Sequence, residues 1–405
     1  MSSQNKKSKA NGCPVYKKCG GCQLQNLSYD MQLKHKQVKC IKLLGRAGHV
    51  DEIIGMDDPY HYRCKVQSAF TTIRGNVVSG VYQSSTHRIV PVDNCMLEDN
   101  AASEIILTLR KLIKSFKIKT YNMENGTGFF RHVLIRRGFY TGQVMVVLVT
   151  ADEQFPSVTS FVNALVGRHP EITTVVQNVS KKSVNLVLGE KNIVLHGDGY
   201  IEDTIDGCRF RISPKSFYQV NPQMTTLLYA KAIEFMGLTG SETVIDAYCG
   251  TGTIGILASR NAGRVIGVEL NKDAVRDAKE NARLNNCDNI EFFAGDAGEF
   301  MVEMASKGKK ADVVIMDPPR AGSDVKFMRS VVKLNPERVV YVSCNPETLS
   351  HDLTYFGQNG YAAKKIQPFD MFPHTGHCEC VVMLSREKAD DYARVSVKTK
   401  DLKTK

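Results

Sequence analysis

The sequence contains no apolar run close to the roughly 18 residues that a membrane-spanning helix requires, so it predicts no helical membrane protein. The first nine residues are polar and rich in lysine, without the apolar core of a signal peptide. No internal repeat is apparent, which argues against a repeat architecture. These absences together favour a cytoplasmic globular protein.

The chain has 405 residues, enough for two or three domains. Lysine and arginine outnumber the acidic residues by 53 to 42, and the formal net charge is +11. This balance favours a polyanionic partner, and nucleic acid is the most common one. The 12 cysteines accompany no secretion signal, so metal binding and catalysis are better explanations for any that cluster than a disulfide framework.

The first cysteines form a C-x5-C-x2-C run at Cys13, Cys19 and Cys22. Gly20 and Gly21 allow the backbone to fold closely around an ion, so this spacing predicts a metal site. Two kinds of centre compete at this stage. Zinc would take four tetrahedral ligands, and an iron–sulfur cluster also takes four cysteines, usually at short, loop-like spacing.

Three downstream cysteines, Cys40, Cys64 and Cys95, could supply the fourth ligand. Cys40 falls within a basic amphipathic helix pattern at about 29–44 and is expected to pack there. The predicted apolar side of this helix comprises Met31, Val38, Ile41 and Leu44, and the remainder carries Lys34, Lys36, Lys39 and Lys42. Cys64 lies in a strand pattern. Cys95 lies in turn-type sequence and has the most freedom to reach a metal, so it is favoured.

A β-rich module is predicted in the centre of the chain. Its elements are a β-meander at 60–92, a helix at 101–118, a hairpin at 128–150, a helix at about 156–168, and strands at 173–178, 184–188 and 208–212. Basic side chains next to aromatic residues in this module suit contact with RNA phosphates and stacking on nucleobases. A solvated cationic sheet face would show the same pattern. The candidate RNA-binding residues are Arg63, Lys65, Arg131 and His132, with Arg136 and Arg137 nearby.

From about residue 214 the sequence alternates strands with helices, which predicts a parallel sheet. We therefore expect disordered basic tails at 1–12 and 391–405 and three folded parts between them. The first, 13–100, combines the cysteine segment with the start of the central module. The second, 101–213, completes that α+β module, and the third, 214–390, is the catalytic domain.

A glycine-rich turn follows the first strand of this third part, as Gly250-x-Gly252-x-x-Gly255. Glycines permit a tight turn and close approach of a ligand, and Glu269, which ends the next strand, could hold ribose hydroxyls. Both NAD-dependent and S-adenosyl-L-methionine-dependent enzymes use this arrangement. Asp296 ends the third strand, where it could meet an adenine amino group.

The fourth strand ends in Asp317-Pro-Pro-Arg320, which has no role in nicotinamide binding. The two prolines predict a rigid extended corner at the sheet edge, where a methyl donor would lie. Amino-group methyltransferases typically place an aromatic residue after the prolines to stack on the target base. Arg320 at that position argues against an exocyclic nitrogen as the methyl acceptor.

One cysteine and one glutamate could carry the chemistry. Cys344 follows the strand pattern 339–343, at the edge where α/β proteins keep their ligands, and it could be either an inert core thiol or a nucleophile. Glu379 alternates with Cys378 and Cys380, so it points away from both. Methylation at C5 of a pyrimidine requires a thiolate that adds to C6 and a base that removes the C5 proton. A structural ion pair is the alternative role for Glu379. Zinc bound by His374, His377 and Cys378 is disfavoured, because three ligands within five residues that enter a strand make a poor cage.

With these residues in place, the sequence resembles the RNA (uracil-5-)-methyltransferase family. The matching stretches are Ser216-Phe-Tyr-Gln-Val-Asn221, Asp246-Ala-Tyr-Cys-Gly-Thr-Gly252, Gly267-Val-Glu269, Asp317-Pro-Pro-Arg320, Ser343-Cys-Asn-Pro346 and Asp370-Met-Phe-Pro-His-Thr-x-His-x-Glu379. The early cysteine run resembles the 23S ribosomal RNA branch, whose members carry a 4Fe–4S cluster that the tRNA branch lacks. The resemblance implies a class I S-adenosyl-L-methionine-dependent methyltransferase domain, which has an α/β Rossmann-like fold with a mostly parallel seven-stranded sheet. It also implies a β-rich central RNA-binding module that carries the iron–sulfur cluster.

The resemblance also implies residue roles: Cys344 as nucleophile and Glu379 as general base. It implies cofactor binding by Gln219, Tyr248, Gly250, Gly252, Glu269, Asp296 and Asp317, and cluster binding by Cys13, Cys19, Cys22 and Cys95. Many relatives have asparagine where Thr253 stands and valine where Cys378 stands. An RNA-binding TRAM β-barrel precedes the cluster in many relatives, whereas twelve residues precede Cys13 here. We therefore expect the central module and the basic tails to bind RNA.

The predicted function is methylation of C5 of a uridine in 23S rRNA, free or in an assembling subunit, with no membrane or protein partner. A tRNA uridine methyltransferase is the first alternative. A radical S-adenosyl-L-methionine enzyme usually has C-x3-C-x2-C spacing and binds its cofactor at the cluster, whereas the glycine-rich turn here lies more than 200 residues away. An NAD-dependent oxidoreductase or a pure RNA-binding protein would leave Cys344 unexplained.

Overall fold

The computed structural model describes residues 12–83, 86, 88–180 and 187–387. The predicted disordered tails lie outside these residues, apart from Gly12, as does most of the strand predicted at 184–188. None of the helices in the described part of the chain combines the length and apolar character that a membrane crossing needs.

The central module is built on a seven-stranded sheet, with strand order β3-β2-β1-β4-β5-β6-β7. Its strands are β1 (Lys65–Ile73), β2 (Asn76–Tyr82), β3 (Ile89–Pro91), β4 (Phe130–Arg137), β5 (Val144–Thr150), β6 (Ile172–Val179) and β7 (Lys191–His196). The β5–β6 pair is parallel, and the other strand pairs described in this sheet are antiparallel. The predicted meander and hairpin are confirmed. The sequence did not indicate β7 or the first strand of a separate hairpin, β8 (Ile201–Ile205) with β9 (Cys208–Ile212).

The C-terminal domain is built on a second seven-stranded sheet, with order β12-β11-β10-β13-β14-β16-β15. Its strands are β10 (Thr243–Ala247), β11 (Arg264–Glu269), β12 (Ile290–Ala294), β13 (Val313–Met316), β14 (Arg338–Ser343), β15 (Tyr361–Phe369) and β16 (Glu379–Arg386). The first five strands pair in parallel, and β16 runs antiparallel between β14 and β15. The predicted mostly parallel sheet is confirmed, with β15 as the strand that the sequence did not reveal.

Helices cover these sheets and begin where the sequence provides caps. They are α1 (Tyr16–Cys19), α2 (Tyr29–Leu44), α3 (Asn100–Ser115), α4 (Val158–Val166), α5 (Pro222–Met236), α6 (Thr253–Ser259), α7 (Lys272–Leu284), α8 (Ala297–Ser306), α9 (Val325–Leu334) and α10 (Pro346–Gln358). Asn345 caps α10 by accepting a hydrogen bond from the backbone of Glu347, and Pro346 occupies its first turn. The Ser-Cys-Asn-Pro motif therefore ends β14 and starts the next helix within two residues of Cys344.

The helix α2 has the bounds that the sequence predicts, but the predicted buried face is wrong. Gln32, Lys36, Cys40 and Leu44 are buried, whereas Met31, Val38 and Ile41 are 50%, 65% and 50% exposed. The buried set recurs every four residues and faces the C-terminal domain. Local apolar periodicity missed it because two of its members are polar and find their partners more than 300 residues away.

The segment that follows α2 also joins the C-terminal domain. Val50 and Ile54 form parallel bridges to Ile366 and Phe369 of β15. Cys40, Leu44, Val50 and Ile53 share one hydrophobic core with the C-terminal sheet. The expected grouping of residues 13–100 with the central module therefore does not hold for residues 29–54, which extend the catalytic domain at the edge strand β15.

Candidate active site and metal centre

Cys344 and Glu379 lie side by side at one edge of the C-terminal sheet. In the antiparallel pairing of β14 with β16, Ser343 is opposite Cys380. Extended one step beyond this last pair, the register places Cys344 opposite Glu379, and the charge of Glu379 accordingly acts on the Cys344 thiol. Glu379 is 4% exposed, whereas Cys344 is only partly buried. A thiol and a carboxyl group thus lie together at the carboxyl ends of the parallel strands, and we call this part of the sheet edge the recess.

The electrostatics of this recess link four groups. The pKa of Cys344 is raised to about 11, mainly by burial and then by the charges of Glu379 and Asp317. Burial likewise raises the pKa of Glu379 to about 8, again with a contribution from Asp317, and burial raises the pKa of Asp317 to about 7. Arg320 opposes both shifts at Cys344 and Glu379. Its guanidinium group lies 3.0 Å from Nδ1 of His377.

The raised pKa of Glu379 predicts that Glu379→Gln stabilises the ligand-free protein at alkaline pH. The contribution of neutral Glu379 to the free energy of unfolding is fully present below its ordinary pKa of 4.5. That contribution is lost as pH rises towards and through the folded-state pKa of about 8. Above pH 8 we expect the variant to exceed wild type by on the order of 1–3 kcal/mol, because burying the carboxylate costs more than burying the amide. Urea unfolding at pH 5 and pH 9 measures the difference.

The control for this prediction is Glu104→Gln, since Glu104 is exposed. That substitution should give curves parallel to wild type at both pH values. A Glu379→Gln protein whose advantage does not grow between pH 5 and pH 9 would contradict the proposed burial of a titrating carboxyl group.

The glycine-rich turn joins β10 to α6 in a left-handed conformation. Tyr248, Gly250 and Gly252 have φ values of 64°, 54° and 79°, and a Cβ atom on Gly252 would lie 2.6 Å from the Phe292 ring. The Gly250 amide donates a 3.1 Å hydrogen bond to Glu269 Oε2. This close packing fixes the turn directly beside the acid at the end of β11.

The other predicted cofactor residues follow neighbouring strands. Glu269 ends β11, Asp296 follows β12 and Asp317 follows β13, so all three lie at the carboxyl edge of the sheet. Asp296 also caps α8 by accepting a 2.8 Å hydrogen bond from Glu299. Gln219 precedes α5 and interacts with the buried hydroxyl of Tyr229. The topology therefore places the acidic residues of this set at the same edge of the sheet as the glycine-rich turn, and we call this region the cofactor cleft.

Two residues of this cleft were not predicted. Asp246 is 2% exposed within β10, its pKa is raised to about 8 by burial, and it accepts a 2.8 Å hydrogen bond from the Gly255 amide. Tyr229 is buried on α5, and its pKa is raised first by burial and then by the charges of Asp317, Asp246 and Glu379. A polar residue in the otherwise apolar strand 243–247 was a signal for Asp246. The sequence gives no comparable signal for Tyr229.

The four cysteines predicted to bind a metal line one cavity of about 120 Å³. Cys13, Cys19, Cys22 and Cys95 are all partly buried there, and Arg63 contributes to the wall. The pKa of Cys22 is raised to about 12, mainly by burial and then by the charges of Cys95, Cys19 and Cys13. Negative charge on the neighbouring thiols disfavours a further thiolate at Cys22, so a cationic centre that takes sulfur ligands would suit the site.

A second group of cysteines lies on the opposite face of β16 from Glu379. The sulfur atoms of Cys40, Cys378 and Cys380 lie within 4.8 Å of one another, and all three residues are buried. The Cys40 thiol donates to the Cys378 sulfur at 3.5 Å, and the Cys378 thiol is 3.4 Å from the Phe369 carbonyl oxygen. Cys40 thus packs in the core as predicted. The alternation that turns Glu379 away from its two neighbours is confirmed.

The residues predicted to bind RNA are more buried than that role requires. Arg131 and His132 are 3% and 5% exposed. Arg131 donates to the Ser180 carbonyl oxygen at 2.8 Å, and burial lowers the pKa of His132 to about 4. This placement does not support the prediction that these two side chains contact RNA. Arg63 and Lys65 are partly exposed, and Arg63 lies at the cysteine cavity.

The nearby arginines also have structural roles. Arg136 is buried and donates to the carbonyl oxygens of Pro214 and Ser216 at 3.2 and 2.5 Å. Arg137 forms a 2.6 Å ion pair with Asp99. Arg136 thereby connects the central sheet to the Ser216 end of the first matching motif.

Comparisons with known proteins identify the family of the chain. The profile of the tRNA (uracil-5-)-methyltransferase family matches residues 28–387. An uncharacterized RNA methyltransferase of Clostridium acetobutylicum is 44% identical over 381 residues, which cover 92% of this chain and 83% of the relative. One from Halalkalibacterium halodurans is 44% identical over 377 residues, covering 92% and 82%.

Among solved structures, the fold is similar to that of the tRNA (uracil-54, C5)-methyltransferase of Pyrococcus abyssi in complex with S-adenosyl-L-homocysteine. The TM-score is 0.77 and the sequence identity is 30%, over 90% of this chain and 85% of that one. The likeness extends over both sheets and is not confined to the methyltransferase domain. Given the profile match over most of its length and relatives at more than 40% identity, the chain belongs to the RNA (uracil-5-)-methyltransferase family.

Proposed function

We propose that the protein methylates C5 of a uridine in RNA, with S-adenosyl-L-methionine as methyl donor. The observation that carries this proposal is the pairing of Ser343 with Cys380, from which Cys344 and Glu379 follow as the next opposed pair at the carboxyl edge of the sheet. A thiol and a carboxyl group in one recess are the two groups that C5 methylation requires. The Pyrococcus abyssi relative, solved with the demethylated form of this donor, supports its choice.

The chemistry assigned to this chain begins with a uridine that turns out of its RNA fold into the recess. The Cys344 thiolate adds to C6, and the electron pair of the C5–C6 double bond moves to form an enolate. When bound, S-adenosyl-L-methionine supplies a methyl group on a sulfonium leaving group. Glu379 then removes the C5 proton, the double bond reforms, and the Cys344 thiolate leaves.

The cleft residues would hold the donor during these steps. Glu269 suits the ribose hydroxyls and Asp296 the adenine amino group, while the turn at Gly250 and Gly252 lets the ligand approach the backbone. Asp317, Gln219 and Tyr248 complete the set. These roles rest on the family resemblance and on the proximity of the residues.

We propose a 4Fe–4S cluster as the group held by Cys13, Cys19, Cys22 and Cys95. Four thiols around one cavity match the ligand requirement. The reaction transfers no electrons, so the cluster would hold the N-terminal segment together or orient RNA.

The cluster assignment predicts iron loss on substitution of any of these cysteines. Anaerobically purified wild type should contain about four iron and four sulfide ions per chain. Cys95→Ser should retain less than about half of that iron and sulfide, because an iron–sulfur cluster with only three protein ligands is readily lost. Cys64→Ala is the matched control and should keep the wild-type iron content. Cys64 is a buried cysteine that directly precedes β1 and does not line the cavity. Zinc in place of iron in wild type would contradict the assignment.

The RNA substrate that we propose is 23S rRNA, on the strength of the cysteine set that marks this branch of the family. The second candidate is tRNA, favoured by the tRNA substrate of the Pyrococcus abyssi relative. Incubation of the anaerobically purified protein with each unmodified RNA and the methyl donor, followed by nucleoside mass spectrometry, separates the two. 5-Methyluridine found only in 23S rRNA supports the proposal. 5-Methyluridine found only in tRNA would keep the chemistry and make tRNA the substrate. Any other methylated nucleoside would overturn the proposed chemistry.

A further inference from the structure

The segment 370–378, which connects β15 to β16, delivers Glu379 to the recess. It contains the Asp-Met-Phe-Pro-His-Thr-x-His part of the motif that ends in Glu379. Asp370, His374 and Thr375 are all buried, at 0%, 3% and 2% exposure. What fixes this segment therefore fixes the direction in which Glu379 enters β16.

The buried face of α2 provides one anchor through Lys36. The Lys36 ammonium donates to Asp370 Oδ1 at 2.5 Å and to the Phe372 carbonyl oxygen at 3.0 Å. The side chains of Lys36 and Asp370 are 1% and 0% exposed. One cation thus holds both a side chain and the main chain of the segment.

A second anchor is Gln32, one helical turn earlier on the same face. Its Oε1 accepts a 2.8 Å hydrogen bond from the His374 amide, and its Nε2 lies 3.2 Å from Nδ1 of the same residue. His374 has φ of 67°. This left-handed conformation is strained for a residue other than glycine and persists only when its surroundings impose it.

The chain just before α2 adds two further bonds. The Leu24 amide donates to the His374 carbonyl oxygen at 3.0 Å, and the Gly376 amide donates to Gln23 Oε1 at 3.2 Å. These residues directly follow Cys22 of the cysteine cavity. The segment from the metal centre to Lys36 is thus bound to the base-carrying segment along its length.

Stability alone does not explain this arrangement. A buried ion pair gains little over well-packed apolar side chains of similar volume, and α2 leaves apolar Met31, Val38 and Ile41 exposed while burying Gln32 and Lys36. Directional polar contacts fix the geometry of their partner, which apolar contacts do not. Here the partner is a strained backbone segment close to Glu379 in the chain.

We propose that Gln32 and Lys36 are positioning residues that hold segment 370–378 so that Glu379 faces the C5 proton of the methylated base. This inference rests on the proposed function. Cys344 lies between the end of β14 and the start of α10, and the hydrogen bonds of Gln32 and Lys36 described above do not involve these two elements. The helix α2 reaches α10 through a different residue, in the 3.1 Å ion pair of Lys39 with Glu347. Loss of either positioning residue should therefore slow proton removal while leaving the addition of Cys344 to C6 and methyl transfer largely intact.

The test uses the full chain, purified anaerobically, with a substrate RNA that carries tritium at C5 of uridine. Gln32→Met keeps the side-chain length and removes the bonds to His374. Lys36→Met with Asp370→Asn removes the buried pair without leaving one charge alone. The control is Val38→Ala, at a position 65% exposed on the same helix, and circular dichroism melting verifies that each variant is folded.

In the first turnover we expect Gln32→Met and the double variant to transfer methyl at nearly the wild-type rate and to release tritium roughly 10- to 100-fold more slowly. A protein–RNA complex that survives denaturing electrophoresis should accumulate in both, and not in Val38→Ala or wild type. Equal slowing of both steps, or tritium release at the wild-type rate in both variants, would overturn the positioning role. Failure of the proposed function would look different, because wild type would then release no tritium.

Discussion

Cys344→Ala is expected to abolish 5-methyluridine formation, with a loss on the order of 10⁴-fold or more in the single-turnover rate. C5 of uracil is not nucleophilic until a thiolate adds to C6, so no remaining group in the recess can replace Cys344. The charges of Glu379 and Asp317 already raise the pKa of this thiol, and neither carboxyl group is an adequate nucleophile for this carbon. Nucleoside mass spectrometry of the RNA product measures the effect.

The matched control is Cys287→Ala, because Cys287 is also a partly buried free cysteine and lies outside the recess. It should methylate RNA at the wild-type rate. Both variants should bind S-adenosyl-L-methionine with unchanged affinity by calorimetry, since the proposed donor contacts come from other residues. Methylation that continues in Cys344→Ala would rule out the covalent route and require another activation of C5.

The C-terminal site could be predicted closely because sequence and space coincide at the edge of a parallel sheet. Each of β10, β11, β13 and β14 is a short apolar run that ends in a polar residue or just before one, and parallel strands place those ends together. Asp317 and Cys344 were therefore identifiable from the positions at which their strands end. The strand β15 escaped because it is an edge strand interrupted by two lysines and a register shift.

The environment of the site could not be predicted in the same way. Periodicity reports which side of an element is apolar, and it assigned the wrong face to α2 because Gln32 and Lys36 are buried against partners far away in the chain. It also failed for Arg131 and His132, since both faces of β4 are covered and every residue up to Arg136 is buried. Polar residues satisfied by distant partners carry no local signature.

The same long-range contacts explain why the cysteine segment and the catalytic domain form one unit. Cys22 lies two residues before the backbone bond from Leu24 to His374, and His374 lies five residues before Glu379. The central module enters this unit through Tyr62, whose hydroxyl donates to the Pro373 carbonyl oxygen at 3.1 Å. Movement of the N-terminal segment would therefore be transmitted to the segment that carries the general base and, through the 3.1 Å ion pair between Lys39 and Glu347, to the start of α10 as well.

Glu379→Gln is expected to trap the reaction after methyl transfer. The amide cannot accept the C5 proton, so the double bond cannot reform and the bond between Cys344 and C6 persists. We expect turnover to fall by about 10²- to 10⁴-fold, the usual contribution of a general base, while a methylated protein–RNA complex accumulates to nearly one per active chain. Denaturing electrophoresis with a labelled methyl group and mass spectrometry of the cross-linked peptide detect it.

The accumulated complex distinguishes a base from a group that merely shapes the recess. If Glu379 acted only by its charge, Glu379→Gln would lower the pKa of Cys344, because that charge raises it, and the addition step would become faster with no trapped product. A complex that contains unmethylated uridine would place the block before methyl transfer and contradict the assignment. Exposed Glu104→Gln, which should turn over normally, verifies that the effect belongs to the position and not to the loss of a carboxyl group in general.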